Sequence, residues 1–293
     1  MKTHGNYHFD NVLASLYFYL HMGIQIKHKI KTEHILEKGS GAQNEDSLVI
    51  GENIFGVFDG ATSLDNRRFK GGQTGGMIAA HTASHEFSKN HFPLDQLGIR
   101  ANQAIRTKMI DQNLDMAHRH YLWSTCAAVI RIEEAKLEWF QTGDAHILLF
   151  YNDGSFKVLA DRKDHDYETL TLLTAEKFKF NAAMKDQIKK VRLGMNRSYG
   201  VLNGEPEAID FAQKGFESLE NVTRILLFTD GLQLPSTIPA QKKSFGRLAK
   251  RFQREGLIGV KESIRKIESQ DTDIRRYPRF KCHDDIAAIA VHL

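Results

Sequence analysis

Polar and apolar positions alternate over Ile24 to Ile30, as in a half-buried strand, and short apolar runs rather than long amphipathic repeats follow. Ser47 to Ile50 and Ile54 to Phe58 are two such runs, and Gly51-Glu52-Asn53 between them predicts a β-hairpin. Helical patterns cover about Thr74 to Phe87, opened by Gly71, Gly72, Gly75 and Gly76, and about Leu94 to Ala117. Four runs come next in quick succession: Ser124 to Ile132, Lys136 to Thr142, His146 to Tyr151 and Phe156 to Leu159. Their tight connections, Asn152-Asp153-Gly154 among them, predict an antiparallel meander. Asp161 to Asn221 is irregular and polar, and a surface flap or connecting insertion is expected there. Val222 to Phe228 reads as a buried strand, Phe245 to Ile267 as a helix broken near Gly256 and Gly259, and Ile286 to Val291 as a closing strand. Strands with interspersed helix pairs and no regular βαβ alternation predict an α+β layered sandwich rather than a doubly wound sheet. Without repeats or a Pro-rich linker, the simplest organisation is one domain over 24–293, preceded by an extension over 1–23 whose stretch Val12 to Leu20 packs as a helix.

Composition narrows the functional classes. At 293 residues and 41% hydrophobic, the chain can bury a sizeable core. Forty Lys and Arg against thirty-six Asp and Glu leave a formal charge of +4, spread along the chain, which singles out neither nucleic acid nor a membrane as a partner. Arg247, Lys250, Arg251 and Arg254 would share one side of a helix, the pattern of a solvated face. Two cysteines, Cys126 and Cys282, are too few for a disulfide framework and lack the CxxC spacing of a zinc site, so a reducing, cytoplasmic setting is the default. No apolar run reaches the roughly 18 to 20 residues that span a bilayer.

The chemistry gathers on aspartates. Asp59 and Asp230 each follow an apolar strand and precede glycine, while Asp284 stands just before one. In an antiparallel sheet the end of one strand lies beside the start of its neighbour, so these residues can meet at one sheet edge. A lone aspartate before glycine is as readily a turn residue. Three together at strand ends favour a shared cation, and an all-oxygen set favours Mg²⁺ or Mn²⁺ over zinc. Glu45 and Asp46, just ahead of the first hairpin strand, would reach the same edge.

The blocks QNEDSLVI (Gln43 to Ile50), FGVFDGATS (Phe55 to Ser63), STCAAVIRI (Ser124 to Ile132), GDAHILLFYNDG (Gly143 to Gly154), KDH (Lys163 to His165), LLFTDGL (Leu226 to Leu232) and DDIAAIAV (Asp284 to Val291) run in the order found in one family. With them the chain resembles the metal-dependent serine/threonine protein phosphatases of type 2C. The resemblance implies an αββα sandwich, two antiparallel sheets with helices on both outer faces and a two-metal site at one end. It implies that Asp59 bridges the metals, that Gly60 offers its carbonyl, that Asp230 and Asp284 complete the first metal's shell, and that Glu45 acts through metal-bound water. Asp46 would support that shell, and Asp144 matches the position that helps to hold a third, weaker ion. Two positions depart from the family pattern. Many members carry a histidine shortly after the Asp-Gly pair as general acid, where this chain has Ala61, Thr62 and Ser63. Many also carry a phosphate-gripping arginine four residues before the glutamate, where this chain has Gly41, with Lys38 close by.

Other constellations carry less. His81 and His85 have the spacing of a zinc pair but lack the glutamate of HExxH. The glycines at 71, 72, 75 and 76 suit close helix-to-sheet packing better than a phosphate loop, since no GK[ST] follows. His165 and His283 are acid candidates that also suit structural roles. The expected function is hydrolysis of phosphoserine or phosphothreonine on proteins by a metal-activated water, with Asp59, Asp230 and Asp284 as catalytic residues. The alternatives are a pseudophosphatase that binds phosphorylated partners and a phosphatase for a small metabolite.

Overall fold

The computed structural model describes residues 30–65, 67–160, 164–175 and 182–293. A compact unit spans Lys31–Leu293. The extension over 1–23 and the strand expected at Ile24 to Ile30, Ile30 apart, lie outside the described residues.

Two five-stranded antiparallel sheets form the centre. Sheet one has the order β1 (Lys31–Glu37), β10 (Ile286–His292), β9 (Val222–Phe228), β6 (His146–Tyr151), β7 (Phe156–Val158). Sheet two has the order β2 (Ser47–Ile50), β3 (Ile54–Gly60), β4 (Thr125–Glu133), β5 (Lys136–Thr142), β8 (Gln213–Ser218). The hairpin expected from Gly51-Glu52-Asn53 is present, with Ser47 opposite Phe58 and Gly51 N–H donating to Ile54 O at 2.8 Å.

The expected meander is not present. β4 and β5 pair in sheet two, β6 and β7 pair in sheet one, and Gly143-Asp144-Ala145 carries the chain between the sheets. A short connection reads the same in sequence whether the next strand pairs beside its predecessor or opposite it. The consequence is that Asp144 sits where the two sheets meet.

Helices α1 (Gly75–Ser88) and α2 (Leu94–Asp111) cover the outer face of sheet two, where Ala79, Ala83, Phe87, Leu97 and Ile105 pack on Phe58, Val129 and Phe140. Gly75 and Gly76 open α1 for packing reasons: an added Cβ would lie 2.1 Å from the Trp123 ring or 2.5 Å from Ala61 O. Thr74 caps the helix, its Oγ1 accepting from Met77 N. α2 stops at Asp111, short of Ala117, because Asn113 turns into the left-handed region at φ 53° and Leu114 N–H closes on Met109 O.

The polar stretch expected to be an irregular flap contains α3 (Tyr167–Ala175), α4 (Ala182–Leu193) and the edge strand β8. On the other side, α5 (Gly246–Ser269) covers sheet one, packing Leu248, Phe252, Leu257 and Ile264 on Leu148, Phe150, Leu226 and Phe228. Its break lies at Gly256, where φ reaches 70°, and not at Gly259. Because strand residues alternate in direction, the fully buried Ile225, Leu227, Ile147 and Leu149 face the opposite sheet. The result is the four-layered αββα sandwich, an α+β fold.

Candidate metal centre

One end of the sandwich gathers the acidic residues because of strand direction. β10 starts there, β9 ends there and β6 starts there, with Phe228 opposite both Ala288 and His146. In sheet two the same end holds the start of β2 and the end of β3, with Asp59 opposite Cys126 and Gly60 opposite Thr125. Glu45, Asp46, Asp59, Gly60, Asp144, Asp230 and Asp284, the residues expected at the site, therefore all lie at one edge. Glu45 and Asp46 are buried, and Asp59, Asp144, Asp230 and Asp284 are half-buried.

The glycines beside Asp59 and Asp230 are not there for turns, since neither has a positive φ. A Cβ on Gly60 would stand 2.4 Å from Gly76 O and 2.5 Å from Glu45 O, and one on Gly231 would stand 1.8 Å from Asp285 O. Only glycine lets the neighbouring backbones approach so closely.

The carboxyl groups act on one another. Desolvation, then repulsion from Asp46, Asp230, Asp144 and Asp284, pushes Asp59 well above the usual carboxylate range. Desolvation also raises Asp46 and Asp230, with Asp284 the leading charged neighbour of Asp230 and acting on Asp46 against the bond from Thr229. Asp144 runs the other way: burial works against its ionisation, but His165 and Lys243 outweigh it and hold the group below its ordinary value. Two lysines reach the cluster. Lys281 Nζ lies 2.7 Å from Asp284 Oδ1, and Lys243 Nζ lies 3.7 Å from Asp164 Oδ2. Burial disfavours both ammonium groups, yet the surrounding aspartates raise their pKa values.

Neighbouring residues fix the acids in place. Thr229 Oγ1 donates to Asp46 Oδ2 at 2.8 Å. Asp285 accepts from Gly39 N at 2.7 Å and Glu45 N at 2.9 Å, tying the Glu45 loop to the start of β10. Thr62 Oγ1 donates to Glu45 Oε2, while Glu45 Oε1 is buried with no hydrogen-bond partner among the described residues. An orphaned carboxylate oxygen beside mutually repelling aspartates is a donor set that fits a hard divalent cation.

Asp144, His165 and Asp166 bring three ligand atoms within 4.8 Å of one another, and His165 Nε2 is 3.7 Å from both carboxylates. The position expected to help hold a third ion thus has a nitrogen ligand and a second carboxylate beside it. The His165 ring stacks on Tyr199 with centroids 4.2 Å apart. His283 points away from the centre, its Nδ1 2.9 Å from Glu268 Oε2. Cys126 is buried against Asp144, and burial pushes its thiol up, so it is no nucleophile.

A cavity of about 310 Å³ opens beside Glu45 and Thr62, lined also by Gly41, Arg68, Thr74 and Lys281. Lys38 is exposed, and its Nζ donates to Gly41 O at 3.1 Å. Sequence reasoning assigned no role to Asp285, Asp166, Lys243, Lys281 or Arg192. Asp285 carried a signal, as the second of two aspartates before an apolar strand. The others lie in segments where no period marks them.

The sequence model of protein phosphatase 2C matches residues 37–267. No curated protein matches the sequence. Among solved structures, the catalytic domain of the serine/threonine protein phosphatase PstP in complex with two manganese ions is 16% identical, with a TM-score of 0.58 over 90% of this chain and 97% of that one. Stp1 from Staphylococcus aureus is 13% identical with a TM-score of 0.56 over 90% and 95%. PppA from Pseudomonas aeruginosa, a regulatory component of the type VI secretion system, has the same identity and TM-score over 90% and 97%.

Proposed function

Since the chain belongs to the protein phosphatase 2C family, we propose that it is a metal-dependent phosphatase hydrolysing phosphoserine and phosphothreonine on proteins. The observation that carries this is the convergence of Asp46, Asp59, Asp144, Asp230 and Asp284 at one edge, with the carboxyls of Asp46, Asp59 and Asp230 held above their ordinary range by desolvation and mutual repulsion. Asp59, the carbonyl of Gly60, Asp230 and Asp284 would hold two ions, and Glu45 and Asp46 would support them. Asp144 would serve a third, weaker ion. The two manganese ions of the PstP structure support Mn²⁺ or Mg²⁺ in this role. Such ions supply Lewis acidity and a nucleophilic water at neutral pH. The chain's own part is to hold these acids still: Thr229 orients Asp46, and Asp285 fixes the loop that carries Glu45. A cytoplasmic setting belongs to the same proposal, supported by the free thiols of Cys126 and Cys282.

Asp59→Asn and Asp230→Asn are expected to abolish Mn²⁺-dependent cleavage of a phosphopeptide, by at least about a thousandfold if the metal is lost, while the circular dichroism spectrum stays unchanged. Full activity in both variants, or none in the wild type with any divalent metal, would overturn the assignment. A second reading, a module that binds phosphorylated partners without cleaving them, is favoured by Gly41 and Ala61, which stand where relatives carry the grip and the acid. Activity on small phosphoesters exceeding that on phosphopeptides would instead point to a metabolite substrate.

A further inference from the structure

Gly41 and Thr62 line one cavity beside Glu45, and α4 brings an arginine to the backbone of Thr62. Arg192, one residue before the end of α4, donates from Nη2 to the carbonyl of Thr62. Thr62 in turn donates through Oγ1 to Glu45 Oε2, so the guanidinium lies one residue from the acidic centre. Among the described residues Arg192 forms no ion pair, and Thr62 O is its only hydrogen-bond acceptor, although a guanidinium offers five N–H donors. The lysines nearby are engaged, Lys281 with Asp284 and Lys243 with Asp164, while Arg68, exposed on the cavity rim, meets Gln43 Oε1 at 3.3 Å. Desolvation lowers the pKa of Arg192, with Tyr199, Asp166, Glu45 and Cys126 facing it, yet an arginine stays charged. A half-buried, charged, planar fork in ion-pair contact with no carboxylate among the described residues is matched by the tetrahedral oxygens of a phosphate.

We propose that Arg192 grips the phosphoryl group of the substrate, taking the place that Gly41 leaves vacant. This rests on the phosphatase reading. Because Arg192 comes from the inserted helix pair rather than from the sandwich, that insertion forms one wall of the phosphate site and travels with the grip.

The test is calorimetric titration of the Mn²⁺-loaded full chain with inorganic phosphate, which needs no turnover. Arg192→Gln is expected to weaken phosphate binding roughly 10- to 100-fold, and Arg192→Lys by less, since a point charge keeps the attraction and loses the fork. Mn²⁺ affinity and melting temperature stay within experimental error of wild type in both variants. In the Arg192→Gln background Gly41→Arg restores binding, because the new Cβ meets Gln43 O at an ordinary 3.4 Å. KM for p-nitrophenyl phosphate and for a phosphopeptide rise by the same factor, as the group lost is one that holds the phosphate itself. Wild-type affinity for phosphate in Arg192→Gln, loss of binding in Arg68→Gln instead, or no binding by the wild type overturns the proposal. Absent turnover with intact phosphate binding would sink the phosphatase reading and leave the grip standing.

Discussion

Asp285 accepts two backbone N–H groups, from Gly39 and Glu45, and its own side chain is buried. Removing it leaves both donors facing protein, at a cost of about 1 to 3 kcal/mol for an unsatisfied buried group. Asp285→Ala is therefore expected to lower stability by about 2 kcal/mol in urea titration, and to weaken Mn²⁺ binding because the Glu45 loop loses its tie to β10. Asp285→Asn keeps one acceptor oxygen and should lose less. Neighbouring Asp284 behaves differently: its carboxylate accepts from Lys281 Nζ at 2.7 Å and holds no part of the Glu45 loop, so its replacement spares that loop. Two adjacent aspartates thus divide between anchoring the loop and charging the acidic cluster. That division was not legible in the chain, since both stand before the same apolar run.

At the scale of elements, close approach governs the site. Gly231, in the single turn of 3-10 helix Asp230–Leu232, lets the start of β10 pass where a Cβ would lie 1.8 Å from Asp285 O. Gly231→Ala must push these segments apart, and a loss of roughly 2 to 3 kcal/mol is expected, with weaker Mn²⁺ binding. Gly246→Ala at the head of α5 makes the same chemical change in open space at negative φ, and it should gain up to about 1 kcal/mol. Thermal unfolding of the two variants checks the contrast. The elements themselves were largely legible. Ser47 to Ile50 and Ile54 to Phe58 declare themselves by apolar runs around a short connection, and the helix over Gly75–Ser88 by its period. β8 escaped notice because it is an edge strand whose outward Phe216 is 73% exposed, so no apolar run marks it. α3 and α4 escaped because their polar residues face solvent and few of their residues are buried.

Across the whole molecule, the two sheets contribute opposite halves of one charge cluster. The raised pKa values of Asp46, Asp59 and Asp230 mean that the metal-free fold keeps protons there which the unfolded chain, near its ordinary 3.8, has already lost. That contribution to stability is fully present below the unfolded pKa and is lost as pH rises through the folded values. A divalent cation, on the metal-dependent reading, takes the deprotonated set. The rise in melting temperature on adding Mn²⁺ should therefore grow as pH is raised above the ordinary carboxylate range, and a constant rise would contradict the cluster's electrostatics. Asp144, with its lowered pKa, acts in the opposite sense and loses its contribution only on acidification. The cluster was legible as strand-end aspartates. The partition of strands between sheets was not, because Gly143-Asp144-Ala145 looks locally like any tight turn. β10 lies between β1 and β9 in sheet one and brings Asp284 and Asp285 with it. During synthesis, then, sheet one stays open at its middle until residues 284–292 have left the ribosome. Asp59 and Asp230 wait with no partner acid from β10. A nascent chain stalled before that point holds all the described helices and an incomplete acidic cluster, which closes late and in one step when Asp284 and Asp285 arrive with the strand.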